Sequence, residues 1–261
     1  MKIATWNVNS LAVRLPQVLD WLAANPVDVL CLQELKLHDD KFPVHEIEAA
    51  GYTSTFFGQK TYNGVATLTH TNLGPVRNVV KNITGFADEQ SRMIAVTLDV
   101  PGGELRVVNG YFVNGQEPGS EKFAYKMKWL EGLNTMIQAE LATHARLVLL
   151  GDFNITVDDR DTYDPVGLHG TIHHTAEERQ HFQGLLDLGL GDAFRMFEQP
   201  EKSYSWWDYR ELGFRRNRGL RIDHILVSEA LKTLVTSCKI DKVPRKNERP
   251  SDHAPVIVEI A

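Results

Sequence analysis

The stretch Leu147-Val148-Leu149-Leu150-Gly151-Asp152-Phe153-Asn154 stops an apolar run at a glycine, a carboxylate and an amide. Four consecutive apolar residues predict a buried strand. Because side chains alternate along a strand, Asp152 and Asn154 are expected on the same side of the chain, at the end of that strand. Gly, Asp and Asn are also the usual residues of tight turns, and the stretch taken alone favours a plain turn. Other strand ends must decide between a turn and a polar site.

Strand and helix patterns alternate around this stretch. Helices are expected over residues 16–25, 123–141 and 177–188, and strands over residues 2–9, 27–32, 54–57, 64–69, 93–100, 105–112, 147–150, 204–207, 220–227 and 256–260. The first strand, helix and second strand form a crossover unit, which aligns Asn7 and Glu34 at one edge. Hairpins interrupt the alternation, so the pattern predicts an α/β (α+β) fold of two mixed sheets packed together, with helices outside.

Length and composition are those of an ordinary globular chain. With 261 residues, 43% hydrophobic and 24% charged, the sequence predicts a single domain spanning residues 1–261. No apolar run approaches the roughly 20 residues of a membrane span, and a strand pattern rather than a signal peptide opens the chain, so a cytoplasmic protein is expected. Cys31 and Cys238 both lie in apolar segments and are expected to be buried, reduced thiols.

Charge is unevenly distributed along the chain. The net charge of −6 argues against indiscriminate binding of nucleic acid. Basic residues nevertheless gather late in the sequence, at Arg215, Arg216, Arg218, Arg221, Lys239, Lys242, Arg245, Lys246 and Arg249. Such a run is either a solvated face or a surface that holds a polyanion, and the sequence leaves both open.

Polar residues recur at the ends of the expected strands. They are Asn7, Glu34, Tyr111, Asp152, Asn154, Asp223, Asp252 and His253. Each alone is explained as a turn, cap or edge residue, but all of them at strand ends indicate a shared site. Carboxylate and amide oxygens suit Mg²⁺ or Mn²⁺, whereas zinc would require several histidines or thiolates in register. Metal-assisted attack of water on a phosphoester is the reaction that needs this mixture.

Six segments carry a recognisable pattern that runs from the first strand to the last. They are Thr5-Trp6-Asn7-Val8-Asn9-Ser10-Leu11, Leu32-Gln33-Glu34-Leu35-Lys36, Gly151-Asp152-Phe153-Asn154, Tyr204-Ser205-Trp206-Trp207-Asp208-Tyr209-Arg210, Gly219-Leu220-Arg221-Ile222-Asp223-His224-Ile225-Leu226 and Arg249-Pro250-Ser251-Asp252-His253-Ala254-Pro255-Val256. Together they resemble the exonuclease III family of DNA repair enzymes, within the endonuclease/exonuclease/phosphatase superfamily. The resemblance implies a four-layered sandwich of two mixed, mainly antiparallel sheets flanked by helices.

The resemblance also implies a Mg²⁺-dependent phosphodiesterase of base excision repair, with Mn²⁺ as a substitute metal. Glu34 matches the principal metal ligand, Asn7 a residue beside the metal, and Asp252 a further metal contact. The expected partner is double-stranded DNA with abasic sites, nicks or blocked 3′ ends. The enzyme is expected to act as a monomer and not at a membrane.

Five further residues match catalytic positions of that family. Asp152 matches the base that orients the attacking water, with Asn154 beside it as a donor, and Tyr111 matches a phosphate-contacting tyrosine. His253 matches a phosphate-binding histidine that Asp223 holds in place. The sequence leaves open which of Asp152 and His253 removes the proton of water, and our hypothesis is Asp152.

The resemblance places a further group of residues near the DNA. They are Arg92, Lys122, Trp206, Arg210 and Arg221. An aromatic side chain there could stack on a base or a sugar. Trp206 and Trp207 are adjacent on a strand and must face opposite sides, so only one can reach the DNA, and we expect Trp206 to do so.

One loop departs from the pattern of the family. Abasic-site endonucleases of the family usually carry a basic, tryptophan-containing segment after the Asp152 motif, whereas this chain has histidines at positions 169, 173 and 174. His169, His173 and His174 would narrow the pocket for an extrahelical sugar. We therefore expect work at 3′ ends, as a 3′–5′ exonuclease or 3′-phosphatase, to exceed incision at abasic sites.

Three alternatives stay open at this point. The main activity could instead be abasic-site incision. A non-catalytic binder of DNA lesions would have no need of the complete polar set at the strand ends. A lipid or inositol phosphodiesterase of the same superfamily is disfavoured by the Trp206-Trp207-Asp208-Tyr209-Arg210 segment.

Overall fold

Two six-stranded sheets pack face to face in the computed structural model, which describes residues 1–261. The strands are β1 (Lys2–Asn7), β2 (Val29–Gln33), β3 (Tyr52–Phe57), β4 (Val65–His70), β5 (Arg77–Lys81), β6 (Met93–Val100), β7 (Gly103–Tyr111), β8 (Leu147–Asp152), β9 (Gly191–Asp192), β10 (Trp206–Trp207), β11 (Gly219–Leu220), β12 (Asp223–Val227), β13 (Val235–Ile240) and β14 (Val256–Ile260). The first sheet has the order β13-β14-β1-β2-β4-β3 and the second β5-β6-β7-β8-β12-β9, while β10 and β11 form a separate ribbon. Only β1–β2 and β7–β8 are parallel pairs, so both sheets are mixed and mainly antiparallel, as predicted.

Helices cover the outer face of each sheet. They are α1 (Leu11–Ala24), α2 (Val44–Ala49), α3 (Glu121–Thr143) and α4 (Ala176–Asp187), while the short α5 (Glu229–Lys232) contributes Leu231 to the core between the sheets. Residues of α1 and α2 pack on the first sheet, and residues of α3 and α4 pack on the second. The layers are therefore helix, sheet, sheet, helix, and the four-layered sandwich is confirmed. No helix is both long and apolar enough to cross a membrane.

The space between the sheets is filled by side chains from strands that are apolar on both faces. Val29, Val148 and Val258 are fully buried there, as the continuous apolar runs predict. A small polar cluster around Asn109 crosses this core. The Asn109 amide of β7 donates to the carbonyls of Leu32 and Ala66, at 3.2 and 2.9 Å. This contact fixes the end of β7 against the end of β2, next to the polar site.

Several element boundaries differ from the sequence prediction. Helix α1 begins at Leu11 rather than at Pro16, because the backbone N–H groups of Ser10 and Leu11 donate to carbonyls beyond the end of β2 and fix the start of the helix. The expected strand over residues 220–227 is divided into β11 and β12. Between them the Arg221 N–H leaves the sheet and donates to the Asp161 carbonyl at 2.8 Å. Strands β5, β9 and β13 were not predicted.

Candidate active site

The ends of four strands from both sheets meet at one edge of the sandwich. Asn7 ends β1, Glu34 follows β2, Tyr111 ends β7 and Asp152 ends β8, directly opposite Tyr111 and Asp223 in the register of the second sheet. The Asn7 Nδ2 donates to Glu34 Oε2 and to Asp152 Oδ2, both at 2.9 Å. The predicted convergence is therefore present, and Asn7 joins the two sheets within it.

The Gly151-Asp152-Phe153-Asn154 stretch turns sharply away from β8. Gly151 is required because a Cβ there would lie 1.9 Å from the Gly110 carbonyl of the neighbouring strand. Asn154 adopts a positive φ of 52° and its N–H donates to Asp152 Oδ1 at 3.0 Å. Phe153 is buried and stacks on Phe112. The stretch is thus both a turn and a site, with the aromatic ring in the core and the polar groups at the edge.

A buried histidine lies between two carboxylates beside this turn. The His253 Nδ1 is 2.9 Å from Asp223 Oδ2, and its Nε2 is 3.7 Å from Asp152 Oδ2. Burial disfavours the charged imidazole, but the negative charges of Asp223 and Asp152 outweigh that penalty and raise the pKa of His253 to about 10. The Asp223 carboxylate is itself held by the Ser205 hydroxyl at 2.6 Å. His253 is therefore a fixed, protonated donor at neutral pH.

Burial raises the pKa of Asp152, whereas it opposes the rise in the pKa of His253. Removal from water raises the pKa of this carboxyl group to about 7, and the nearby positive charge of His253 limits the rise. A carboxyl group with a pKa near neutrality is suited to accept a proton from water.

Two groups of donors at this edge could hold a metal ion. Asp152, Asp223 and His253 form a buried group whose ligand atoms lie within 4.8 Å of one another. A protonated His253 that already contacts both carboxylates has no lone pair to offer. The Glu34 carboxylate is a better ligand, since it is 18% exposed and lies beside Asn7. Oxygen donors of this kind fit a hard cation such as Mg²⁺.

The comparisons with known proteins agree with this geometry. Residues 4–253 match the model of the Endonuclease/Exonuclease/phosphatase family. The chain belongs to that family. A curated relative, exodeoxyribonuclease III of Haemophilus influenzae, is 36% identical over 99% of this chain and 99% of its own. This family member is accordingly an exonuclease III-type hydrolase.

Two solved structures are similar to this chain over its whole length. The structure of a 3′ phosphatase from Neisseria bound to product DNA hairpin superposes with a TM-score of 0.95, at 48% identity, covering 100% of this chain and 99% of that one. An AP endonuclease from Archaeoglobus fulgidus superposes with a TM-score of 0.92, at 33% identity, with the same coverage. Enzymes named for different DNA cuts thus share the fold of this family member.

The structure separates the residues that were predicted to contact DNA. Trp206 is half-buried and its Nε1 donates to Asp252 Oδ2 at 2.9 Å, whereas Trp207 is fully buried, as strand alternation requires. Lys122 is exposed near the start of α3, and Arg210 is 87% exposed and paired with Asp208. Asp252 also accepts from Asn9 at 2.9 Å, so neighbouring side chains already hold both of its oxygens.

Arg92 and Arg221 are both buried, in different roles. The guanidinium of Arg92 lies 5.2 Å from the centre of the Tyr111 ring and donates to the Tyr111 carbonyl, so it supports that tyrosine. Arg221 is 1% exposed and pairs with Asp161 at 2.7 Å and with Asp192 at 2.8 Å. The prediction that Arg221 contacts DNA is wrong, because the side chain is enclosed by its two carboxylate partners.

The three loop histidines occupy three different environments. His173 lies on the turn formed by residues 151–154, with its Nδ1 2.6 Å from the Asn154 carbonyl. His174 is buried and bonds to the Ile172 carbonyl, and it shares with His173 and Trp206 the wall of a cavity of about 520 Å³. His169 is exposed and contributes nothing to that cavity. Of the three, His173 and His174 line this cavity, and His169 does not.

Sequence reasoning missed a buried lysine directly behind the site. Lys126 is fully buried and its Nζ donates to the Asn154 carbonyl at 2.8 Å and to the Glu178 carboxylate. The signal was present in the sequence, since Lys126 lies on the apolar stripe of α3. The capping box formed by Thr175 and Glu178 was a second signal.

Proposed function

We propose that this exonuclease III-type DNA repair hydrolase acts mainly at 3′ ends, as a 3′–5′ exonuclease and 3′-phosphatase, and less readily at internal abasic sites. The expected substrates are duplexes with nicks or blocked 3′ ends. One observation carries the proposal: the His173 ring is hydrogen-bonded to the carbonyl of Asn154 and lines the same cavity as Trp206. An abasic sugar within a duplex must leave the stack and enter such a cavity, whereas a terminal phosphate needs less room.

The chemistry follows from the protonation states of two buried groups. With a pKa raised to about 10, His253 already holds a proton at neutral pH and is suited to donate to a phosphate oxygen. Asp152, with a pKa of about 7, is the group free to take the proton of the attacking water. Asn154 and Tyr111 would then hold the water and the phosphate. This assignment supports Asp152 as the base.

Glu34 would hold the metal, with Asn7 and Asp252 beside it. We propose Mg²⁺, with Mn²⁺ as a substitute, because the donors are oxygens. When bound, the ion offsets the charge of the phosphate and polarises its oxygens. The remaining parts of the proposal rest on the sequence: residues 1–261 act as one catalytic domain, in a cytoplasmic enzyme that works as a monomer.

Abasic-site incision is the second candidate. The cavity of about 520 Å³ beside Trp206 is large enough for a sugar that has left the duplex. An AP endonuclease from Archaeoglobus fulgidus is among the similar structures. This candidate would become the main activity only if His173 gives way during binding.

Two labelled duplexes test the proposal, one with a 3′-phosphate at a nick and one with a single internal abasic site. With Mg²⁺ we expect faster removal of the 3′-phosphate, and no cleavage of either duplex in excess chelator. The variant His173→Gly should increase incision at the abasic site, while His169→Gly is the matched control because that side chain is exposed and outside the cavity. Faster incision than phosphate removal by the unaltered enzyme would refute the 3′-end preference.

A further inference from the structure

Lys126 and Glu178 form a buried ion pair between α3 and α4. Both side chains have no exposed surface. The Lys126 Nζ has three acceptors, the Glu178 carboxylate, the Asn154 carbonyl at 2.8 Å and the Asn114 carbonyl at 3.1 Å. Three acceptors match the three N–H bonds of an ammonium group, so every donor of Lys126 is satisfied. No substrate can reach either side chain.

The other member of the pair holds the end of the loop that departs from the family pattern. One oxygen of Glu178 accepts the His173 N–H at 3.1 Å, in addition to the Lys126 ammonium. The second oxygen accepts from Thr175, through its N–H at 3.0 Å and its hydroxyl at 2.8 Å. The carboxylate therefore fixes the backbone on both sides of His174 while it neutralises Lys126.

Lys126 and His173, which Glu178 holds through its backbone N–H, both donate to one carbonyl oxygen. The Asn154 carbonyl accepts from Lys126 and from the His173 Nδ1, at 2.8 and 2.6 Å. Because a carbonyl only accepts, His173 must carry its proton on Nδ1. Burial and the charge of Lys126 lower the pKa of His173 well below its usual value, so the ring is neutral and its Nε2 is an acceptor.

We propose that the Lys126–Glu178 pair is a positioning unit that places the catalytic Asn154 and the selective His173 together, and so sets the ratio between 3′-end work and abasic-site incision. The pair acts through these two residues and touches no substrate. A turn with a positive φ at Asn154 would otherwise be free to relax. The role in selectivity rests on the proposed function of the site, whereas the positioning of His173 does not.

The variants Lys126→Met and Glu178→Gln test this unit. We expect each to change the ratio of kcat/KM for abasic-site incision to kcat/KM for 3′-phosphate removal by about tenfold in favour of incision, because misplacing a positioned group by about 1 Å can cost about 100-fold. Part of the change should appear in kcat for both substrates, since Asn154 is also released. A ratio within about twofold of the unaltered enzyme, in a folded variant, would overturn the proposal.

A second buried ion pair supplies the matched control. Arg106 on β7 and Glu140 on α3 are 2% and 13% exposed and lie 2.7 Å apart, at the opposite end of β7 from Tyr111. The variant Arg106→Met also breaks a buried pair and is expected to destabilise the fold. It should leave the selectivity ratio unchanged, so a shift of that ratio by Arg106→Met would show that lost stability alone explains the effect.

A spectroscopic readout separates positioning from selectivity. In protein labelled with ¹⁵N-histidine, the His173 ring should show the Nδ1-protonated tautomer, and Glu178→Gln should shift its resonances. Glu178→Gln keeps the size of the side chain and serves if Lys126→Met fails to fold. An unchanged His173 signal in Glu178→Gln would overturn the proposed positioning. A shifted signal in an enzyme that prefers abasic-site incision would leave the positioning intact and reject only the 3′-end preference.

Discussion

His224 and His253 are both buried near two carboxylates, yet their proton affinities move in opposite directions. His253 faces Asp223 and Asp152 with no cation between them, and its pKa rises to about 10 despite burial. His224 is also penalised by burial, and Arg221, at 3.0 Å, adds a positive charge, so its pKa falls to about 4. The charge of Arg221 thus separates a neutral core histidine, His224, from a protonated one, His253.

Two consecutive residues of β12, Asp223 and His224, belong to these two environments. Asp223 points to the edge of the sheet and holds His253, while His224 points to the opposite face and packs against the rings of Phe153 and Phe182 at 5.1 and 5.0 Å. Since successive side chains of a strand alternate, one Asp-His dipeptide serves both networks. Proximity of a histidine to carboxylates therefore does not identify a catalytic group unless its other partners are known.

Removal of Arg221 should have the largest effect. Arg221→Met leaves Asp161 and Asp192 buried without their main cation, and we expect a loss of about 3 to 5 kcal/mol of the free energy of unfolding. The measurement is urea unfolding at pH 7. Arg210→Met is the control and should change stability by less than about 0.5 kcal/mol, since Arg210 is exposed. Weaker DNA binding without lost stability would return Arg221 to the DNA surface.

Removal of the proposed base, Asp152, should have the second-largest effect. Asp152→Asn should lower kcat by about 100-fold or more while the Kd for DNA is kept, because the proton acceptor is removed and the shape is not. The folded pKa of Asp152 lies above its unfolded value, so the stability it contributes is lost as pH rises through about 7. Asp152→Asn should therefore be at least as stable as the unaltered enzyme at pH 8. Single-turnover rates measure the loss of catalysis, and fluorescence anisotropy measures the Kd for DNA. Near-normal turnover of Asp152→Asn would make His253 the base.

A smaller effect is expected from Asp223→Asn, which removes one of the two negative charges that raise the pKa of His253. We expect the rate at pH 8 to fall by about tenfold, as is usual for a partner that orients a catalytic group. His253 has a folded pKa above its unfolded one, so its contribution to stability is complete below about pH 6.5 and is lost as pH rises through about 10. In Asp223→Asn this loss of stability should move to lower pH. If activity needs protonated His253, the rate should also begin to fall at a lower pH in this variant. Rate and unfolding profiles from pH 6 to 10 would show whether they do.

Replacement of His224 should have the smallest effect of the four on stability at neutral pH. Its folded pKa of about 4 lies below the unfolded value, so the unfolded chain takes up a proton first and stability falls as pH drops from about 6.5 towards 4. His224→Gln should remove up to about 1.4 kcal/mol per pH unit from this acid slope. Unfolding curves at pH 7 and pH 5 measure the slope, and an identical slope in both proteins would place the proton uptake elsewhere.

The sequence carried much of the catalytic network and little of the structural one. Strand periodicity and the crossover of β1, α1 and β2 suffice to bring Asn7 and Glu34 to one edge, and the same alternation sorts Trp206 from Trp207. Arg221 could not be assigned in this way. Its partners Asp161 and Asp192 are 60 and 29 residues away, and only the path of the intervening loops shows that they enclose it.

The missed strands have a common physical reason. β5, β9 and β13 lie at the edges of their sheets and are only partly buried, so their sequences show neither a continuous apolar run nor clear alternation. The loop histidines were likewise equivalent in sequence. Only the bond from His173 to the turn formed by residues 151–154 and the exposure of His169 distinguish them.

The pairing of β1 with β14 also determines when the active site can exist. The Ser251 hydroxyl donates to the Asn7 carbonyl at 2.7 Å, and the Trp6 ring donates to the His253 carbonyl at 3.2 Å, so the first and last strands complete the site together. A chain still under synthesis has Glu34 and Asp152 long before it has His253. The polar site therefore needs residues from both ends of the sequence, and it can form only after residue 253 has been added to the chain.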